Sequence, residues 1–224
     1  TGYFSVVDTM GHRFGPDSKQ VKGAVQHIDE LIGELWRKLQ TEVDASVNLE
    51  LVSDHGMAPI LADKMIEVDD LNIDSDRFTV INAQTRLLIY AKENTSEQHI
   101  ESLRQRLKQT TEQPFYIETE SALAQRHFVN SPRVPAIVLA TDAPNSFATR
   151  PAEERSDGGT HGYYGTRDMD GLFVATGSAF NKGQSIERFE NIHIYPMLAE
   201  LLGLEILTEI DGRAEVLRPI LETH

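Results

Sequence analysis

Between Tyr3 and Met57, two short apolar, β-branched runs each end in a charged turn, and a long amphipathic segment separates them. The first run, Tyr3 to Asp8, stops at an acid and is followed by the turn-rich stretch Gly11 to Ser18. It reads as a strand that delivers Asp8 to its C-terminal edge, then a functional loop. Ser18 or Asp17 is placed to cap a helix in which Val21, Val25, Ile28, Leu31, Ile32, Leu35 and Leu39 recur at three and four, the spacing of one buried stripe. Val47 to Val52 reads as a second strand, closed by Ser53-Asp54-His55-Gly56-Met57. Strand, helix, strand in this order fits a parallel α/β sheet, where functional groups collect at the edge on which strands end.

The texture changes after Ala62. Thr85 to Tyr90, Phe115 to Glu118 and Val134 to Leu139 read as strands, Glu97 to Lys108 as an amphipathic helix and Ser121 to Arg126 as a short one. Residues 62–158 are therefore expected to form an inserted α+β lobe and loop, with residues 1–61 and 159–224 as the α/β core. Thr141 to Gly159 is rich in Pro, Asn, Ser, Asp and Gly without apolar periodicity, which predicts an exposed loop able to border a substrate cleft; Asn145 and Arg150 are candidates for substrate contact there, the plainer reading of an exposed loop arginine being that it is solvated. Leu172 to Thr176 predicts a further strand. Ile192 to Leu202 predicts the closing helix, with Tyr195, Leu198, Ala199 and Leu202 on one side.

Charge and composition remove several function classes. Lys plus Arg total 21 against 35 for Asp plus Glu, a formal net charge of -14, which argues against the electrostatic footprint of a nucleic-acid or anionic-membrane binder. The 224 residues include no cysteine, so any metal must be held by His and carboxylate. The densest apolar stretch, Ile192 to Leu207, is interrupted by His193, Pro196, Glu200 and Glu205, so no membrane span is expected. The chain begins at Thr1 as though inside a folded unit, and a fragment of a longer protein is the expectation.

Three motifs concentrate ligating groups beside glycine: Asp8-x-x-Gly11-His12, Asp54-His55-Gly56-Met57 and His161-Gly162-Tyr163. Borderline divalent cations favour carboxylate and imidazole, and glycine permits the close turns that aim neighbouring side chains at one point. Taken singly, a strand-ending Asp caps turns and an isolated His is a surface or core residue. His27, His99, His127 and His193 have no partner motif and read as structural or exposed. Three Asp/His clusters on one sheet edge suffice for two ions, and two adjacent cations stabilise both the attacking and the leaving oxygen of a phosphoryl transfer. No general-base histidine is then needed.

The chain resembles the nucleotide pyrophosphatase/phosphodiesterase family of the alkaline phosphatase superfamily. The resemblance is carried in order by Asp8 to Ser18 (DTMGHRFGPDS), the following helix with Val25, Ile28, Asp29, Ile32 and Gly33, Ser53 to Met57 (SDHGM), Gly159 to Tyr163 (GTHGY) and Phe189 to Leu204 (FENIHIYPMLAELLGL). It implies an α/β/α sandwich with a mainly parallel sheet and a smaller inserted α+β lobe. It also implies a bimetal phosphodiesterase, usually with zinc, acting on a nucleotide-like or lipid-like phosphodiester through a covalent Thr or Ser intermediate. Carried over residue by residue, Asp8, His12 and His161 correspond to the ligands of one ion, and Asp54 and His55 to part of the set of the other. A further Asp and the nucleophile are expected upstream of Thr1, so the fragment is expected to hold at most one ion well and to turn over little. Tyr163 is a candidate substrate contact. Tyr164 stands where the family often has Asp, which removes any contact that Asp makes. A periplasmic or extracellular location follows by analogy. The alternatives are a non-catalytic metal-binding or interaction module, and a phosphomonoesterase or phosphonate hydrolase of the same superfamily.

Overall fold

A computed structural model describes residues 1–110, 113–128, 131 and 133–222. In chain order its elements are α1 (Val6–Phe14), α2 (Lys19–Glu42), β1 (Leu49–Val52), β2 (Ala58–Ile60), β3 (Met65–Glu67), β4 (Phe78–Asn82), β5 (Arg86–Ala91), α3 (Glu97–Lys108), β6 (Phe115–Ile117), α4 (Glu120–Gln125), β7 (Ile137–Thr141), β8 (Ser146–Ala148), β9 (Gly158–Thr160), β10 (Phe173–Thr176) and α5 (Ile194–Leu201). Helices and both parallel and antiparallel ladders make this the α/β chain expected. The parallel pairing is β3 with β8, while β1 with β10, β2 with β9, and the four-stranded order β4-β5-β7-β6 are antiparallel.

Contacts divide the chain into two compact units, residues 1–27 with 55–170 and residues 28–54 with 171–224. Within the first unit β2 pairs with β9 and α1 packs on β9.

The first unit is built on the four-stranded sheet. Leu87 and Ile89 alternate along β5 and meet Ile137 and Leu139 of β7, with Leu103 and Leu107 of α3, four residues apart on one helical face, closing over them. Leu87, Ile89 and Leu139 have no exposed surface. Truncating Leu139 to alanine is expected to lower unfolding free energy by about 2–5 kcal/mol, read from urea denaturation, because a fully enclosed site collapses poorly. The second unit has its own smaller core of Phe180, Met197, Leu217, Ile220 and Leu221.

Several local expectations are corrected. Tyr3 to Asp8 is not a strand: residues 6–14 form α1, with Asp8 in its first turn and His12 and Arg13 in its last, charges that suit the helix dipole. The strand preference of Val6 and Val7 yields to packing of the helix on β9. The stretch 141–159 is not one exposed loop, since it contains β8 and β9, both fully buried. Helix α2 forms as expected, with Ser18 Oγ accepting from Val21 N at 3.2 Å and Glu34 pairing with Lys38 across one turn at 2.9 Å. Its apolar stripe is only partly covered by the described residues, with Val25, Leu31 and Leu35 38–49% exposed. In α5 it is Pro196, Met197 and Ala199 that are buried, while Tyr195 and Leu202 face outward.

Candidate metal centre

The helical spacing of α1 is what brings the first motif together. Residues four apart lie one above the other on a helix, so Asp8 and His12 project from the same face, with His12 Nε2 3.4 Å from Asp8 Oδ1. His161, just past the end of β9, places its Nε2 4.0 Å from the same oxygen. One donor atom from each of Asp8, His12 and His161 lies within 4.8 Å of the others. For ligand bonds of about 2.0–2.1 Å a tetrahedral edge is roughly 3.3 Å, so Asp8 and His12 stand at binding separation and His161 slightly wide.

Glycines make this juxtaposition possible by omission of side chains, not by turning the chain. A Cβ on Gly158 would overlap the carbonyl oxygen of His12, one on Gly159 would lie 2.6 Å from that of Gly11, and one on Gly11 would lie 2.9 Å from Cε of Met57. Helix α1 therefore rests backbone to backbone on β9. A Cβ on Gly56 would overlap the carbonyl of Asp168. Of the three motif glycines Gly11, Gly56 and Gly162, only Gly162, with φ 99°, fits the sequence expectation of a glycine needed for its backbone conformation.

The close packing also fixes the histidine tautomer. His12 Nδ1 lies 2.9 Å from the carbonyl oxygen of Gly159, which can only accept, so Nδ1 carries a proton and Nε2 is the atom turned toward Asp8. His55 Nδ1 likewise donates to the carbonyl of Gly56 at 2.8 Å. The His55 ring stacks on His161 with centroids 3.5 Å apart and planes 13° from parallel.

A cation fits these residues on one observation in particular. Asp8 Oδ1 is shut off from solvent and accepts no hydrogen bond, although the Asp8 side chain as a whole is 35% exposed. A buried carboxylate oxygen without a donor is costly, and a divalent cation held with two imidazoles removes that cost.

The structure thus brings together Asp8, His12 and His161, with His55 stacked beside them. Asp54 belongs to the second compact unit and joins no cluster of three donors among the described residues. Tyr163 is only 5% exposed and offers little surface to a substrate. Its hydroxyl donates to the carbonyl of Asn145 at 2.7 Å, and burial, with Asp142 nearby, pushes the phenol well above its ordinary range, so it stays a donor. A cleft of about 470 Å³ opens beside His12 on its Gly159 side, lined by Gln84, Arg150, Arg155, Asp157 and others, but not by Asp8 or His161. Sequence reasoning missed Gly158, whose place directly before the Gly159 to Tyr163 motif was the available signal.

With this geometry in view, the likeness to known proteins is specific. Residues 1–164 match the family model of type I phosphodiesterase / nucleotide pyrophosphatase. The chain is 28% identical over 230 residues to mouse ectonucleotide pyrophosphatase/phosphodiesterase family member 7, covering 100% of this chain and 51% of that protein. It superposes on human ectonucleotide pyrophosphatase/phosphodiesterase 5 with a TM-score of 0.83 at 26% identity, over 96% of this chain and 56% of that one. An inactive variant of the murine member 5, in complex with AMP, superposes with a TM-score of 0.81 at 26% identity and the same coverage. The chain spans about half the length of the curated relatives it matches first. A signature running from Asp8 to Tyr163, a matching model over residues 1–164 and a shared fold place this chain in the type I phosphodiesterase/nucleotide pyrophosphatase family.

Proposed function

We propose that this chain carries five ligands of a two-zinc site for hydrolysis of phosphodiester or pyrophosphate bonds. Asp8, His12 and His161 hold one ion, and Asp54 and His55 contribute to the second. The observation that carries the reading is the convergence of three donors around an Asp8 oxygen that has no hydrogen-bond donor of its own. When bound, the ions supply positive charge that stabilises the phosphate oxygens and lowers the pKa of a coordinated hydroxyl. The chain's own part is orientation. Gly159 accepts the Nδ1 proton of His12 and Gly56 that of His55, so both rings present Nε2, and the His55 ring stacks face to face on that of His161.

None of the five is a nucleophile, and the covalent step belongs to a Thr or Ser hydroxyl outside this set. By itself the set leaves the second ion under-coordinated, so this chain alone holds at most one ion well and turns over little. Residues 62–158 serve as a lobe inserted between the ligand motifs. The AMP complex of a structural relative supports a nucleotide-like substrate, a lipid-like phosphodiester being the other class, and the relatives' names fit an extracellular or periplasmic setting.

The test is hydrolysis of bis(p-nitrophenyl) phosphate by the whole parent protein and by this chain, each with and without zinc. Zinc-dependent turnover is expected in the parent, lost on chelation and in His12→Ala. Metal-independent turnover, or equal turnover by this chain, contradicts the proposal.

A further inference from the structure

One short run of chain grips His161 from both sides. Thr160, its preceding neighbour, donates through Oγ1 to Gln84 Oε1 at 2.7 Å. Gly162, its following neighbour, is held twice. Arg86 Nη1 donates to the Gly162 carbonyl. Thr85, 3% exposed, occupies the space a side chain on Gly162 would need, its Oγ1 2.9 Å from that Cβ position. Gln84, Thr85 and Arg86 thus meet the side chain of the residue immediately before, and the backbone of the residue immediately after, a single metal-ligand candidate.

That run is itself immobilised. Gln84 adopts φ 63°, an unusual value for a residue with a side chain. Its N–H donates to Asn82 Oδ1 at 2.8 Å and its carbonyl accepts from Phe147 N at 2.6 Å. The Arg86 guanidinium is also held through Nε by Glu118, whose side chain is 1% exposed, with Arg86 Nε 3.3 Å from Oε1. A second guanidinium, from Arg126, reaches the same oxygen at 2.7 Å and lies 3.6 Å over the ring of Tyr164. A buried carboxylate shared by two arginines has few alternative arrangements, since separating either pair leaves a desolvated charge.

The plainer role of such a network is to hold the lobe sheet together. Against that being its whole role, Arg86 spends a donor on a main-chain carbonyl one residue from a ligand histidine. We propose that Gln84, Thr85 and Arg86, anchored by Glu118, form a positioning cradle that holds the residues on both sides of His161, Thr160 by its side chain and Gly162 by its carbonyl, and so aims the imidazole at the metal. The imidazole Nε2 lies at the end of the side chain, so a small rotation of either flanking peptide becomes a large displacement of the ligating atom. Outer partners of this kind typically change metal affinity by about 10–100-fold. The inference rests on the reading of Asp8, His12 and His161 as a metal centre.

Zinc affinity, measured on this chain by calorimetric titration carried to millimolar metal, tests it through a double-mutant cycle. Arg86→Met is expected to weaken zinc binding by about 10-fold or more. Arg86→Lys, which keeps a donor for the Gly162 carbonyl, should recover most of the loss. In a His161→Ala background, Arg86→Met should add less than about twofold, because its effect acts through the missing ring. Full affinity in Arg86→Met, or the same loss with and without His161, overturns the cradle and leaves the network a purely structural one. If Arg86→Met does not fold, Glu118→Gln, which keeps the shape of the anchor, carries the same two comparisons. A wild-type chain that binds no zinc removes the metal centre and the inference with it, whereas a failure confined to the Arg86 variants leaves the metal centre standing.

Discussion

His161→Ala will lower zinc affinity by more than about 100-fold, beyond the 10–100-fold typical of residues that merely support a ligand. Three donors, one carboxylate and two imidazoles, converge around Asp8 Oδ1, and the third position of a structural or catalytic zinc set cannot be vacated without large cost. His161 is the long-range member of the trio, since Asp8 and His12 are paired by α1 alone. The substitution therefore separates a real three-residue site from the incidental proximity of an acid and a histidine on one helix. Titration of the metal-free chain should show one binding event in the wild type and none at micromolar zinc in the variant. The folded state should survive, because the His161 side chain is 36% exposed and its removal opens no enclosed cavity.

Gly158→Ala will destabilise the fold and weaken zinc binding together. The added methyl group would overlap the His12 carbonyl oxygen, and main chain cannot step aside as a flexible side chain can. Either α1 lifts from β9 or β9 shifts from β2, and the cost is about 3 kcal/mol, the upper part of the range for overpacked sites. Because Gly159 accepts the Nδ1 proton of His12, lifting the helix also frees the ring that aims Nε2 at Asp8. A thermal melt and a zinc titration on the same sample check both effects. Unchanged zinc affinity in a destabilised variant would mean that the β9 contact supports the fold without positioning His12.

Much of the chemistry was legible because it is local. Asp8 and His12 are four apart, and His161 is followed by Gly162, so residue type and spacing singled out the three side chains that the structure brings together. The same spacing of four was a helix signal, yet the β-branched Val6 and Val7 pointed to a strand, and the helix emerged only because three-glycine packing against β9 and Met57 favours it. Helix α3 was readable to its last residue, since twelve residues carry a clear amphipathic period. Strands β8 and β9, three residues each, are too short to show a period of two, and Gly158–Gly159 has no apolar side chain to display one. The grip of residues 84–86 on Thr160 and Gly162 spans some 76 positions and leaves no trace in either segment alone. Asp54 illustrates the opposite limit: its motif is as clear as the others, while the described residues cluster only Asp8, His12 and His161.

Anomalous diffraction at the zinc edge, from crystals of the chain grown with zinc, addresses the metal centre most directly. The account requires a peak bonded to an Asp8 carboxylate oxygen, His12 Nε2 and His161 Nε2 at about 2.0–2.2 Å, with Nδ1 of His12 still on the Gly159 carbonyl. Zinc bound only elsewhere on the acidic surface, or these three side chains apart and each facing solvent, would contradict it.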